Sequence, residues 1–100
     1  MGIKIMQDKK GWQLFLKLCM TASKKGNLEQ LLQFLLTDEE VAQLEKRVLL
    51  TQALLAEEDT QREIAKNLHV SISKITRGSN SLKHIDADLK KFLRHQLTEN

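Results

Sequence analysis

The sequence predicts an all-α protein built from about six short helices. Hydrophobic residues make up 41% of the 100-residue chain, an ordinary value for a globular domain, and aromatic residues make up only 4%. Proline is absent from the sequence, while the helix-favouring residues leucine, lysine, glutamate and glutamine are abundant. Apolar residues recur at helical spacing rather than in the alternation typical of strands. We therefore expect a single domain over residues 1–100, with short connections between its helices.

The first helix is predicted by an apolar stripe and by the residues that end it. The stripe repeats every three or four residues and consists of Trp12, Phe15, Leu16, Cys19 and Met20. Two lysines followed by Gly26 are typical of a helix that ends in a left-handed residue. Asn27 is suited to capping the next helix. Residues 1–8 are expected to form a flexible N-terminal arm.

Two Thr-x-x-Glu patterns predict where later helices begin. In this capping box the threonine hydroxyl accepts from the glutamate amide, and the glutamate side chain accepts from the threonine amide. The two pairs are Thr37 with Glu40 and Thr60 with Glu63, and Asp86 marks the start of the last helix. The helix after Thr37 is apolar around so much of its circumference that it requires cover on more than one side. A second copy can supply that cover, since small domains often gain stability by association.

Residues 60–77 have the pattern of a helix-turn-helix. Ala65 is small enough to let two helices touch, and Ile75 anchors the second helix ten residues later. The turn position that usually holds glycine is occupied by His69, a residue type that adopts a positive φ more readily than most. Ser71 can then cap the second helix. An ordinary helical hairpin has the same periodicity and stays open as an alternative.

A helix-turn-helix offers the N-terminal residues of its second helix to base edges and sets its first helix across the phosphate backbone. Isoleucine suits a thymine methyl, serine, threonine and lysine suit bases or phosphates, and arginine at a helix N-terminus suits phosphate. A formal net charge of +3 is compatible with a nucleic-acid partner. The alternative for each polar candidate is an ordinary solvated side chain that contacts no DNA. The expected DNA-binding residues are Gln61, Arg62, Ile72, Ser73, Lys74 and Thr76.

Residues 76–83, with the sequence TRGSNSLK, resemble the signature of the Trp repressor family. Upstream of this segment, the order and spacing of the family are also matched by Trp12 with Phe15, by Leu36 with Thr37, and by Arg47. The similarity runs from about residue 12 to about residue 93. The resemblance implies an intertwined, six-helix homodimer that binds operator DNA through a helix-turn-helix. It also implies L-tryptophan as co-repressor, and thus a repressor of genes for tryptophan biosynthesis or uptake.

The resemblance further implies a tryptophan pocket between the helix-turn-helix and the central helices. Arg77 would stack on the indole and help to hold the carboxylate, while Arg47 would cover the other face of the ring. Ser81 would take the amino group together with a backbone carbonyl of the other subunit. The implied ligand-binding residues are Leu36, Thr37, Arg47, Arg77, Gly78 and Ser81, and the resemblance adds Lys83 to the DNA-binding residues.

The sequence departs from the family pattern at several of these positions. Asp38 stands where the family commonly has a proline. Because that proline only presets the start of a helix, its loss is a minor change. Ser73 and Lys74 replace residues that face bases in relatives, so the operator sequence cannot be transferred. Thr51 stands where the family lines the pocket with valine. This last change keeps open an alternative, a Trp-repressor-like helix-turn-helix regulator with a different small-molecule ligand or none.

The sequence favours neither an enzyme nor a membrane protein. No acid–base pair, metal-ligand spacing or phosphate loop surrounds His69, His84 or His95, so we expect no catalytic residue and no metal. No apolar run is long enough to span a bilayer, and the N-terminus lacks a signal-peptide pattern. Cys19 is the single cysteine, which fits a reducing cytoplasm. A helical interaction module is a further alternative, and it would lack the steep salt dependence of DNA binding.

Overall fold

The computed structural model describes residues 9–99, and over that range it is entirely helical, as predicted. The helices are α1 (Lys10–Lys25), α2 (Leu28–Leu35), α3 (Asp38–Ala56), α4 (Gln61–Leu68), α5 (Ile72–His84) and α6 (Ala87–Thr98). The arm predicted for residues 1–8 lies outside the described residues. Contacts group the chain into two compact units, divided between Val41 and Ala42. The single domain over residues 1–100 stays a prediction.

In the N-terminal unit, α1 packs against α2 through a tight turn. Gly26 ends α1 in the left-handed region with φ of +78°, which confirms the predicted helix end. The N–H of Asn27 donates to the carbonyl of Ala22 at 3.0 Å, and Ala22 is the buried residue of α1. Asn27 occupies the position before α2, but its side chain makes no capping hydrogen bond. The sequence therefore predicted the position of this cap correctly, but the expected hydrogen bond to the Asn27 side chain is not formed.

Both predicted capping boxes are formed. In the first, the Thr37 N–H donates to Glu40 Oε1 at 2.9 Å and the Glu40 N–H donates to Thr37 Oγ1 at 3.1 Å. In the second, the Thr60 N–H donates to Glu63 Oε1 at 2.8 Å and the Glu63 N–H donates to Thr60 Oγ1 at 3.2 Å. These bonds fix the starts of α3 and α4 because they satisfy amides that the helix itself leaves without partners.

In the C-terminal unit, α4 and α5 pack against each other across a three-residue connection. His69 ends α4 with a left-handed φ of 55°, and Ser71 Oγ accepts from the Lys74 N–H at 3.1 Å, so both predicted turn features are confirmed. Ile64 and Ile75 are buried between the helices, at 2% and 0% exposure. α5 continues to His84, seven residues beyond the predicted end of the motif at residue 77.

The other helices of this unit are tied to the same core. Leu55 of α3 is buried at 5% exposure. The Gln52 side-chain amide donates to the Leu97 carbonyl at 2.8 Å and so links α3 to α6. Asp86 caps α6, because its carboxylate accepts from the Asp88 N–H at 3.1 Å and from the next amide at 3.2 Å. The last helix therefore begins within one residue of the predicted start.

Candidate ligand and nucleic-acid site

An open groove runs along the exposed side of α5. Its volume is about 680 Å³, within the range usual for small-molecule sites. Arg77 and Ser81 are four residues apart in this helix, a spacing that puts them on one side, and both line the groove. The structure therefore brings together the two residues to which the sequence assigns the carboxylate and the amino group of a ligand. The full lining is Ser73, Thr76, Arg77, Asn80, Ser81, His84 and Ile85.

The described polar groups that line the groove carry no negative charge. Arg77 carries a permanent positive charge, and His84 lies in the last turn of α5. Hydroxyl and amide groups supply the remaining polar atoms. Among residues 9–99, none of the carboxylates lines this groove. Such a surface suits an anionic group, either a ligand carboxylate or a phosphate.

Gly78 faces α3. A Cβ atom at this position would lie 3.2 Å from Leu50 Cδ2 and 3.4 Å from Leu54 Cδ1, so the glycine lets α5 approach α3 closely. Sequence reasoning missed this packing role, because the small residue needed between helices was assigned to Ala65 alone. Gly78 is not among the residues that line the groove, and its contact with a ligand stays a prediction.

The other predicted ligand residues are not gathered in this groove. Arg47 is exposed on α3 and does not line it. Leu36 and Thr37 belong to the N-terminal unit, where the N–H and the hydroxyl of Thr37 are engaged in the first capping box. The Thr51 hydroxyl donates to the Arg47 carbonyl at 2.8 Å, within α3 itself. The ligand contacts of Leu36, Thr37 and Arg47 therefore stay predictions.

The predicted DNA-binding residues are exposed on α4 and α5. Ile72, the first residue of α5, is a large apolar side chain that is 50% exposed. α5 contains no acidic residue, and the one acid of α4, Glu63, is held in its capping box. Hydrogen bonds from the Thr60 amide and hydroxyl group lower the pKa of Glu63. The exposed predicted residues are Gln61, Arg62, Ile72, Ser73, Lys74, Thr76 and Lys83.

Three residues of the α5 groove, Asn80, His84 and Ile85, were not predicted as site residues. Asn80 and His84 line it together with Arg77 and Ser81. Positions 77, 81 and 84 follow the i, i+4, i+7 rule of one helical face, so the spacing alone could have identified His84. Because no catalytic partner stands near it in the chain, the sequence predicted a structural or surface role for this histidine.

A second concavity of about 640 Å³ lies between α3, α4 and α6. Its floor includes the buried residues Leu55 and Ile64, and its rim includes Glu58 and Asp59. It contains none of the predicted site residues. Across residues 9–99, no helix is long and apolar enough to cross a membrane. No group of three or more potential metal ligands occurs in that part of the chain either.

Known proteins match this chain over almost all of the described residues. The family model described as "Trp repressor protein" matches residues 10–97. The "Trp operon repressor homolog" of Chlamydia trachomatis serovar D is 43% identical over 91 residues, which cover 91% of this chain and 97% of that protein. The homolog of Chlamydia caviae is 44% identical over 88 residues, covering 88% and 87%. That of Actinobacillus succinogenes is 37% identical over 86 residues, covering 86% and 85%.

These matches define the class of protein first, a small helical regulator of the repressor type. The chain belongs to the Trp repressor family. The resemblance carried by residues 76–83 is therefore confirmed.

Proposed function

We propose that this protein is a cytoplasmic, sequence-specific DNA-binding repressor with L-tryptophan as its co-repressor, controlling genes for tryptophan biosynthesis or uptake. The observation that carries the proposal is the position of Arg77 and Ser81 in one open groove of α5. A guanidinium group binds a carboxylate strongly, and a hydroxyl group can accept from an amino group. The same helix begins with exposed residues suited to base edges. A ligand that binds one placement of α5 more tightly than the others would shift the population toward that placement.

The α4–α5 pair would act as the helix-turn-helix that reads operator DNA. Its geometry supports this role, because Ser71 fixes the start of α5 and leaves Ile72, Ser73 and Lys74 exposed at its tip. α4 would lie across the backbone, with Arg62 in its first turn available to phosphate. Since α5 has no acidic residue, few groups on this surface would repel the phosphates.

The proposal includes a homodimer. Trp12, Leu16 and Met20 follow one another at intervals of four on α1, and all three are exposed, with Trp12 at 58%. On α6, Leu89 and Phe92 are also exposed. Exposed apolar side chains of this kind, on each helix taken by itself, commonly mark an interface, and a second copy would cover them. Two reading heads in such a dimer would have to stand about 34 Å apart to enter successive major grooves.

A second candidate is a related regulator with another ligand, which the threonine at position 51 favours. The Thr51 hydroxyl, however, already donates to the Arg47 carbonyl at 2.8 Å. Its one proton is thereby engaged, so the hydroxyl cannot also donate to a ligand, and its methyl group can pack as a valine methyl does. This bond supports L-tryptophan over a polar analogue. Calorimetric titration with L-tryptophan, indole and other amino acids separates the two candidates.

The direct test combines ligand binding with DNA binding at one fixed salt concentration. A duplex is first selected from a random library, and its affinity is then measured with and without saturating L-tryptophan. We expect tighter DNA binding with the ligand. Equal affinity would refute the co-repressor role, and an affinity that hardly changes with salt would refute DNA binding.

A paired substitution tests the assignment of Arg77. Arg77→Ala removes the proposed carboxylate contact, so we expect at least tenfold weaker L-tryptophan binding, since hydrogen bonds to charged groups contribute about 1.5–3 kcal/mol. The control is Arg94→Ala, which removes an exposed arginine from α6 outside the groove. Equal losses of affinity in both variants would show that the ligand does not bind through Arg77.

A further inference from the structure

His84 lies in the α5 groove and has no role in the function proposed above. It follows Ser81 by three residues and Arg77 by seven, on the same side of the helix. At a rise of about 1.5 Å per residue, it lies about 4.5 Å along the helix axis beyond Ser81 and about 10 Å beyond Arg77. The imidazole is therefore nearer to the residue proposed for the amino group than to the residue proposed for the carboxylate.

Among residues 9–99, no carboxylate lines the groove to balance a positive charge placed at His84. α3 and α4 pack against α5, and within residues 9–99 neither helix contributes a carboxylate to the groove lining. The Asp86 carboxylate follows α5 but is engaged with the first amides of α6, and Asp88 lies in the first turn of α6. Of the other cations, Arg77 lines the groove and Lys83 is the neighbour of His84 in the chain.

We propose that His84 is a ligand-binding residue that makes the groove respond to the charge of its ligand. The proposal rests on the function proposed above, in which Arg77 binds the carboxylate and Ser81 the amino group. A protonated His84 repels the nearby ammonium group of an amino acid more strongly than it attracts the more distant carboxylate, because Coulomb energy falls with distance. A carboxylate ligand without an amino group experiences only the attraction. Protonation of one side chain therefore has opposite effects on the two kinds of ligand.

Calorimetry at about pH 5.5 and about pH 7.5 tests the proposal, since histidine changes its charge between these values. The probes are L-tryptophan and indole-3-propionate, which carries the same ring and a carboxylate but no amino group. We expect L-tryptophan to bind about threefold more weakly at the lower pH, and indole-3-propionate to bind about twofold more tightly. These modest effects are those of charges in an open, well-solvated groove.

Three variants identify the group responsible. His84→Gln replaces the imidazole with a neutral amide, and we expect it to abolish both pH effects. His84→Lys keeps a positive charge at both pH values, so L-tryptophan binds weakly throughout. The control, His95→Gln, alters a histidine of α6 that pairs with Glu99 at 2.9 Å outside the groove, and it retains both pH effects. Circular dichroism establishes that each variant is folded.

The outcomes separate this inference from the function on which it rests. Tryptophan binding that is equal at both pH values, or a pH effect that survives in His84→Gln, overturns the role of His84 and leaves the co-repressor proposal standing. If His84→Lys binds L-tryptophan with the affinity and the pH dependence of the wild-type protein, the role of His84 is overturned in the same way. If the folded wild-type protein binds no L-tryptophan at either pH, the proposed function fails and the role of His84 fails with it.

Discussion

Two helical hairpins of this protein have similar turns but expose side chains of opposite chemical character. The α1–α2 pair turns at Gly26 and the α4–α5 pair at His69, and both residues are left-handed. The first pair exposes large apolar side chains, with Trp12 at 58% and Phe34 at 84%. The second pair buries Ile75 completely and directs polar and cationic side chains outward. The turn therefore sets the geometry of each pair, while the outward residues determine whether it suits another copy of the chain or an anionic partner.

Breaking the core of the second pair should have the largest effect. Ile75→Ala removes the most deeply buried side chain, at 0% exposure, so we expect a loss of about 2–5 kcal/mol in the free energy of unfolding. Chemical denaturation measures the loss. The matched control is Ile72→Ala on the same helix, where the side chain is 50% exposed and the loss should stay below about 1 kcal/mol. Similar losses at the two positions would contradict the packing described for α4 and α5.

Breaking the apolar surface of the first pair should affect association. Leu16→Glu places a charge in the exposed stripe that contains Trp12 and Met20, and we expect the dissociation constant of the proposed dimer to rise by a factor of about 30 or more, or about 2 kcal/mol. Sedimentation equilibrium measures this change. Lys17→Glu makes a similar change at the neighbouring exposed position, on the polar side of α1, and serves as the control. A dimer unaffected by Leu16→Glu would exclude the stripe as the interface.

The two turns themselves allow a sharper comparison. Gly26→Ala puts a Cβ at φ +78° and should lower the free energy of unfolding by about 1 kcal/mol. His69→Gly removes a Cβ at φ 55° and should raise it by about 0.5–1 kcal/mol, because the left-handed conformation disfavours side chains. Thermal denaturation of both variants tests the opposite signs. Destabilisation by His69→Gly would mean that the imidazole contributes more than the turn costs.

The smallest predicted effect concerns the start of α4. The Thr60 amide and hydroxyl group lower the pKa of Glu63 in the folded state, so the ionised carboxylate stabilises the fold above the ordinary glutamate pKa. This contribution is lost as the pH falls through the lowered pKa. Denaturation between about pH 6 and about pH 3 should therefore show a shallower loss of stability in Glu63→Gln than in the wild-type protein. Identical pH profiles would contradict the capping role.

The features predicted from the sequence are mostly local ones. The two capping boxes, the left-handed His69 and the Ser71 cap each depend on residues within four positions of one another, so the chain itself specifies them. Asn27 shows the limit of that reasoning, since the side chain at a suitable capping position makes no capping bond.

The features that the sequence did not reveal depend on packing between helices. The role of Gly78 depends on Leu50 and Leu54, which are more than twenty residues away in the chain. Helical spacing correctly paired Arg77 with Ser81, but the groove that they share and the presence of His84 in it required the structure. Whether the Thr51 hydroxyl was free for a ligand also depended on its rotamer, which the sequence does not specify.

Residue-resolved NMR during a titration with L-tryptophan tests the central claim most directly, because it locates the ligand. The account predicts that the largest amide shifts fall along α5, centred on Arg77 and Ser81, and that they are lost in Arg77→Ala. Shifts centred on the second concavity, around Gln52 and Leu97, would contradict it, as would a spectrum that saturating ligand leaves unchanged.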